Sequence, residues 1–236
     1  MNHPGAVRAV GVLIPAHDEV AHVESCLDAV AVALERLPHD VAAAVCLVDD
    51  RSRDGTARAA RRWAAGRGFR PHVDVAVNRT RVPVGALRNQ AARRVLYRLD
   101  AVPPSAIRLL STDADSRVPP DWAVRHVELA GSGADAVSGG VLPDGPVPPD
   151  VLVPDGVYAA NLGVGARPFL QVGGFPPVHS GEDVGLLGRL CAAGHHVVTG
   201  AGIHVLTSVR TRGRATGGLA DRLRAHPDSP VVPDPA

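Results

Sequence analysis

Aromatic residues are scarce in this 236-residue chain, at 3% of positions. A module that recognises carbohydrate by stacking sugars on aromatic rings would need more of them. Cysteine is also rare: Cys26, Cys46 and Cys191 are odd in number, widely separated and set in apolar stretches. That pattern suits buried thiols rather than a disulfide framework or a zinc site, and it argues against redox chemistry. No apolar run approaches the length of a membrane span, and the opening MNHPGAVRAV lacks a charged region followed by an apolar stretch and a cleavage site. The expectation is a soluble, cytoplasmic protein. Nor is there an excess of one charge: 25 basic residues face 24 acidic ones, and the signs read as interspersed rather than blocked. This argues against a nucleic-acid partner and for a small or polar ligand.

The length suits one large domain with a real core, so one active site is expected. The first half alternates β-like apolar runs with segments of helical period, the pattern of a mostly parallel α/β sheet flanked by helices. Strands are predicted over 9–14, 42–48, 73–77, 107–110 and 136–142, with helices over 20–37, 57–65, 85–99 and 122–130. Beyond them, 143–156 is dense in Pro, Gly and Asp and reads as an exposed loop. Later strands are expected over 157–164 and 196–199, and helices over 182–193 and 214–224. One domain over 1–225 would then be followed by a disordered tail over 226–236. Polar residues repeatedly follow the strand ends, and in open parallel sheets the ligand crevice lies outside those carboxyl ends.

Asp113 and Asp115 follow the fourth strand, where alternation would point both carboxylates the same way, toward one cation or one pair of phosphates. An isolated pair of this kind is more often a solvated turn. Four further segments change that weighing. Pro15-Ala16-His17-Asp18-Glu19 follows the first strand, and Asp49-Asp50-Arg51-Ser52-Arg53-Asp54-Gly55-Thr56 follows the second. Gly85-Ala86-Leu87-Arg88-Asn89 opens the third helix, and Gly173-Gly174-Phe175 precedes Gly181-Glu182-Asp183-Val184. With Asp113-Ala114-Asp115-Ser116 and Pro119-Pro120-Asp121-Trp122 between them, this ordered set resembles the family-2 nucleotide-sugar glycosyltransferases of the GT-A fold, over most of the chain from Val12 to about Gly194.

The resemblance implies a metal-dependent, hexosyltransferase-like enzyme that moves a sugar from a nucleoside-diphosphate sugar to an acceptor hydroxyl, with inversion. The acceptor stays open between small molecule, lipid and polymer. Pro15 and Glu19 would line the pocket for base and ribose, with Asp50 accepting from a base N–H and Asp49 its rival. Asp54 and Thr56 read as a turn and helix start. Arg88 would face the nucleotide, or else be an exposed helical arginine. Asp113 and Asp115 would hold Mg²⁺ or Mn²⁺ against the diphosphate, Asp115 as the direct ligand and Asp113 nearer the ribose. His204 is a further candidate ligand, since some GT-A enzymes place a histidine near the C-terminus. Arg210, Arg212 and Arg214 suit a loop closing over a diphosphate, or a solvated basic stretch. Glu182 and Asp183 are the acid pair, with Asp183 expected to take the acceptor's proton. Ser180 with Asp183 would also suit a helix cap.

Two departures from the family's pattern bear on the acceptor. Gly185 stands where an acidic residue is frequent, and 142–158 is short for an acceptor-binding insertion. Three other readings stay open: retaining transfer on the same scaffold, a sugar-nucleotidyltransferase, and a non-catalytic nucleotide-sugar binder. The nucleotidyltransferase would show a Gly-rich basic loop after the first strand, where this chain is acidic. Retention of both Asp115 and Asp183 argues against the binder.

Overall fold

The computed structural model describes residues 6–66, 71–145, 157–178 and 180–208. The expected helix over 214–224, the tail, and Arg210, Arg212 and Arg214 lie outside the described residues, as does most of the loop expected over 143–156.

Strand β1 (Ala9–Ala16) is buried along its whole length, as a continuous apolar run in the middle of a parallel sheet should be. Helix α1 (Val23–Glu35) turns Val23, Cys26, Leu27, Val30 and Leu34 inward at helical spacing. It leads to β2 (Ala42–Asp50), α2 (Thr56–Gly66), β3 (His72–Asn78), α3 (Val84–Arg98) and β4 (Ile107–Ser111). The remaining elements are β5 (Ser116–Arg117), α4 (Trp122–Gly131), β6 (Ala136–Asp144), β7 (Leu162–Gly165), α5 (Ala166–Gln171), α6 (Glu182–Ala192) and β8 (Val197–Ser208).

They form one eight-stranded sheet in the order β3-β2-β1-β4-β7-β6-β8-β5. The first four strands are parallel throughout, and β7 then runs antiparallel to both β4 and β6, so the sheet as a whole is mixed. One apolar core lies between the sheet and α1, α2 and α4, and another between the sheet and α3, α5 and α6. Among the described residues no helix is long and apolar enough to cross a membrane.

From β5 onward the structure departs from the sequence reading in five places. The strand expected over 157–164 is a 3₁₀ turn at Ala159–Asn161 followed by the short β7. The strand expected over 196–199 extends to Ser208. Gly200 and Gly202 both take φ of 66°, and pairing with β6 skips from Ser138–Thr199 to Gly140–His204. The chain bulges at these glycines and resumes. Helix α5 and the two-residue β5 were not expected at all. Cys191 is exposed, unlike the buried Cys26 and Cys46, because it faces outward on α6.

The far half of the sheet is pinned by Asn161. Its Oδ1 accepts from Trp122 Nε1 at 2.9 Å, and its Nδ2 donates to the carbonyl oxygens of Gly140 and Ile203 at 2.8 and 3.0 Å. His126 packs edge-on against Trp122, 5.6 Å between centroids, with Nε2 3.3 Å from Asn161 Oδ1. Burial, with the Arg108 charge nearby, drives the His126 pKa down from 6.5 to about 3. The unfolded chain therefore binds a proton near pH 6.5 that the folded chain refuses. This contribution to stability is intact above pH 6.5 and is lost as pH falls toward 3, by about 1.4 kcal/mol per unit. Denaturant titrations between pH 7 and 5 should show a shallower pH dependence for His126→Gln than for the parent chain. Equal slopes would remove His126 from the acid response.

Candidate active site

Strands β1, β2 and β4 run parallel, so the polar residues after their carboxyl ends form one rim. The loops after β1 and β2 are stitched together. Glu19 N–H donates to Thr56 Oγ1 at 2.7 Å, Val20 N–H to Asp54 Oδ2 at 2.8 Å, and Arg53 N–H to Asp18 Oδ1 at 2.7 Å. Asp18 and Arg51 take positive φ, 49° and 58°, at the two bends. Asp54 also accepts from the Thr56 hydroxyl at 2.6 Å, and although burial opposes it, these hydrogen bonds hold its carboxyl below the ordinary value. Asp54 and Thr56 are the scaffold of the rim.

Pro15 is buried near the end of β1, and Glu19 is buried in the loop junction with its carboxylate 3.4 Å from His22 Nδ1. Asp49 and Asp50 lie inside β2 rather than beyond it, so the pleat sends them to opposite faces. Asp50 Oδ1 accepts from Asn78 Nδ2 at 2.7 Å and Arg51 Nε at 3.1 Å, and its carbonyl oxygen meets His17 Nδ1. Asp49 is 2% exposed, and its Oδ1 has no partner among the described residues.

Asp113 and Asp115 occupy the turn between β4 and β5, closed by Ser116 N–H donating to the Asp113 carbonyl oxygen at 3.1 Å. A turn, not strand alternation, sets their spacing. Both side chains are half-buried. The Ser208 N–H donates to the Asp115 carbonyl oxygen at 3.3 Å, and the Ser116 hydroxyl to Thr207 Oγ1 at 3.1 Å, so the end of β8 abuts this turn.

Arg88 joins this turn to the acid pair on α6. It is 3% exposed, turned inward rather than toward solvent. Its guanidinium donates to Asp113 Oδ1 at 2.6 Å and Ser111 Oγ at 2.5 Å, and pairs with Glu182 Oε1 at 3.5 Å. It also lies 5.9 Å from the centroid of the Phe175 ring. Burial opposes the Arg88 charge, but Asp113 and Glu182 outweigh it and hold its pKa above the ordinary value. On Glu182 the balance tips the other way: burial raises its pKa despite Arg88, and Asp183 adds to the rise.

The α6 segment is locked in place by α3. Asn89 Nδ2 donates to the Phe175 carbonyl oxygen at 2.8 Å and its Oδ1 accepts from Phe175 N–H at 2.9 Å. Gly174 has φ of 71°, and a Cβ there would sit 2.5 Å from Asn89 Oδ1. Gly181, with φ of 76°, precedes α6, so the cap position falls on Gly181 rather than on Ser180. Asp183 Oδ2 accepts from Ala159 N–H at 3.0 Å and its Oδ1 from Val184 N–H at 2.8 Å. It is half-buried, in the first turn of the helix. At Gly185 a Cβ would meet Pro176 Cγ at 2.7 Å, a steric reason for lacking an acidic side chain there.

His204 does not join this group. It is exposed in β8 with its ring against Gly140, four residues before Ser208, which is about 13 Å along an extended strand. Among the described residues no cluster of three His, Cys, Asp or Glu side chains could hold a metal. The donor chemistry of Asp113 and Asp115 nonetheless fits a hard ion such as Mg²⁺ or Mn²⁺, which one or two carboxylates commonly share with substrate phosphates and water. The residues that sequence reasoning passed over are Asn89, as the clamp on Phe175, and Ser111, as a partner of Arg88.

Solved glycosyltransferase structures share this fold. Among solved structures, a mannosyltransferase from Pyrobaculum calidifontis in complex with GDP-Man and Mn²⁺ superposes with a TM-score of 0.69 at 20% identity, covering 96% of this chain and 67% of that one. S. aureus TarS 1-349 in complex with UDP gives 0.62 at 16% identity, over 86% of this chain and 61% of that chain. Glucosyl-3-phosphoglycerate synthase from Mycobacterium tuberculosis, in complex with Mn²⁺, UDP and phosphoglyceric acid, gives 0.58 at 18% identity, over 92% and 75%. No curated protein matches the chain in sequence. The family described as "Glycosyl transferase family 2" matches residues 11–150, more than half of the chain. The chain is a member of glycosyl transferase family 2, on the GT-A fold.

Proposed function

We propose that this protein transfers a sugar from a nucleoside-diphosphate sugar to an acceptor hydroxyl, with inversion at the anomeric carbon. The observation that carries the proposal is the junction at Arg88, which ties the Asp113–Asp115 turn to the Glu182–Asp183 helix start at the carboxyl ends of the strands. The complexes of the structural neighbours, with GDP-Man, UDP and Mn²⁺, support a nucleotide-bound donor and a divalent ion.

In this reading Asp50 accepts from a base N–H in a pocket that Pro15 and Glu19 line, and the orphaned Asp49 oxygen is the alternative acceptor on the opposite face of β2. Asp115, as the direct ligand, and Asp113 would hold Mg²⁺ or Mn²⁺ against the diphosphate. The ion, when bound, neutralises charge on the departing nucleoside diphosphate. Arg88 acts through Asp113 and Glu182, fixing one carboxylate at each side of the reaction. Asp183, held by two backbone N–H groups, takes the proton from the attacking hydroxyl as the new glycosidic bond forms.

A thermal-shift panel of nucleotide sugars, with and without Mn²⁺, tests the reading. A true donor stabilises the fold by about 2.7 kcal/mol at 100 times its Kd, and the shift grows with concentration. A flat panel at saturating ligand would remove nucleotide-sugar binding.

A further inference from the structure

Charges that look interspersed over the whole chain are strongly concentrated in one part of the fold. Between Arg51 and Arg98 there are thirteen arginines and only two acidic residues, Asp54 and Asp74, so the rest of the chain is correspondingly acidic. This segment builds α2, β3 and α3, the free margin of the sheet, where β3 pairs only with β2 among the described residues. Helices α2 and α3 pack on opposite faces of the sheet. Both bring guanidinium groups to β3: Arg61 donates to the Val75 carbonyl oxygen at 3.4 Å, and Arg94 to Asp74 at 2.8 Å.

Two open clefts flank this strand and share His72. One, of about 600 Å³, is rimmed by Arg93, Arg94, Tyr97 and Arg98, and the other, of about 420 Å³, by Arg61. Arg62 and Arg94 are paired, with Glu24 and Asp74. Arg53, Arg58, Arg79, Arg81, Arg93 and Arg98 are exposed, and none has an acidic partner among the described residues. Tyr97 stands among them, 82% exposed.

We propose that this arginine-rich margin docks the protein on an anionic lipid surface. Blunting a free strand edge against pairing needs only a few charges, and Arg61 and Arg94 already supply them. The others form a broad cationic face opposed to an acidic remainder, a dipole that orients the molecule toward a negative surface. Guanidinium stems around an exposed tyrosine suit the headgroup layer, which solvates polar tips and accepts their apolar bodies. Single-stranded nucleic acid sites instead interleave several aromatics for base stacking, and Tyr97 is the one exposed aromatic of this face among the described residues. Arg51, Arg53, Arg79 and Arg81 follow the carboxyl ends of β2 and β3, so a docked molecule holds its candidate site beside the lipid. The proposal does not depend on sugar transfer.

The test is co-sedimentation of the whole chain with phosphatidylcholine vesicles, with or without about 30% phosphatidylglycerol. Binding is expected to the anionic vesicles alone and should disappear in about 0.5 M salt. The triple variant Arg58→Gln, Arg93→Gln, Arg98→Gln should bind at least about tenfold more weakly, with an unchanged melting temperature and unchanged nucleotide binding. If the triple variant fails to fold, the pair Arg93→Gln, Arg98→Gln on α3 is read the same way. Three outcomes overturn the proposal: no binding to anionic vesicles, a folded variant that binds like the parent, or tighter binding to duplex DNA of matched phosphate concentration.

Discussion

Replacing Asp183 by Asn is expected to leave donor binding and the fold in place while slowing sugar transfer by about 10² to 10⁴, the range for losing a positioned acid or base. The carboxylate accepts from Ala159 N–H and Val184 N–H on its two oxygens. Asn keeps one acceptor oxygen and turns an NH₂ toward the other donor, so about 1 kcal/mol of stability should be lost as well. The two effects separate readily: melting temperature and donor affinity report the anchor, and single-turnover transfer reports the base. Near-normal transfer by the folded variant would reduce Asp183 to a tie between α6 and the turn at Ala159, and pass the base role to Glu182.

Arg88→Leu should have the largest effect on stability. It removes the cation between Asp113 and Glu182, leaving Glu182, only 9% exposed at its side chain, without its charge partner. Breaking a buried pair in this way costs about 3 to 5 kcal/mol. Asp113 is 37% exposed and its share is screened by solvent, so the lower end is expected. Glu182 is already raised by burial, and without Arg88 it should rise further and stay neutral to higher pH. Arg88→Lys should recover only part of the loss, since one ammonium cannot reach Ser111, Asp113 and Glu182 in the geometry of a planar fork. A loss below about 1 kcal/mol for Arg88→Leu would show that the junction contributes little to holding the fold together.

Much of this arrangement was legible in the sequence. β1, β2 and β4 are apolar runs ending in polar residues, and α1 and α3 keep helical spacing, so each was placed to within a few residues. The inward turn of Arg88 was left open against an exposed helical arginine, although with Ala91, Ala92 and Val95 it occupies the buried stripe of α3. Glu182 likewise starts the buried stripe continued by Leu186 and Leu190, which leaves Asp183 as the more open carboxylate. What was missed came from interruptions of period. Two glycines in left-handed conformation hid the continuity of β8, and with it the position of His204, mid-strand rather than after a strand. Helix α5 is six residues with a proline inside, too short to show a stripe. The bonds of Asn161 join residues up to 42 positions apart, and nothing local announces them.

The most direct test is calorimetric titration of a nucleoside-diphosphate sugar into the wild-type chain and into Asp115→Ala, each with and without Mn²⁺. Two phosphates beside carboxylates repel unless a cation lies between them, so wild type should bind far more tightly with the ion. Asp115→Ala should bind weakly and equally under both conditions while keeping its melting temperature. The same metal-dependent affinity in wild type and variant would contradict the account.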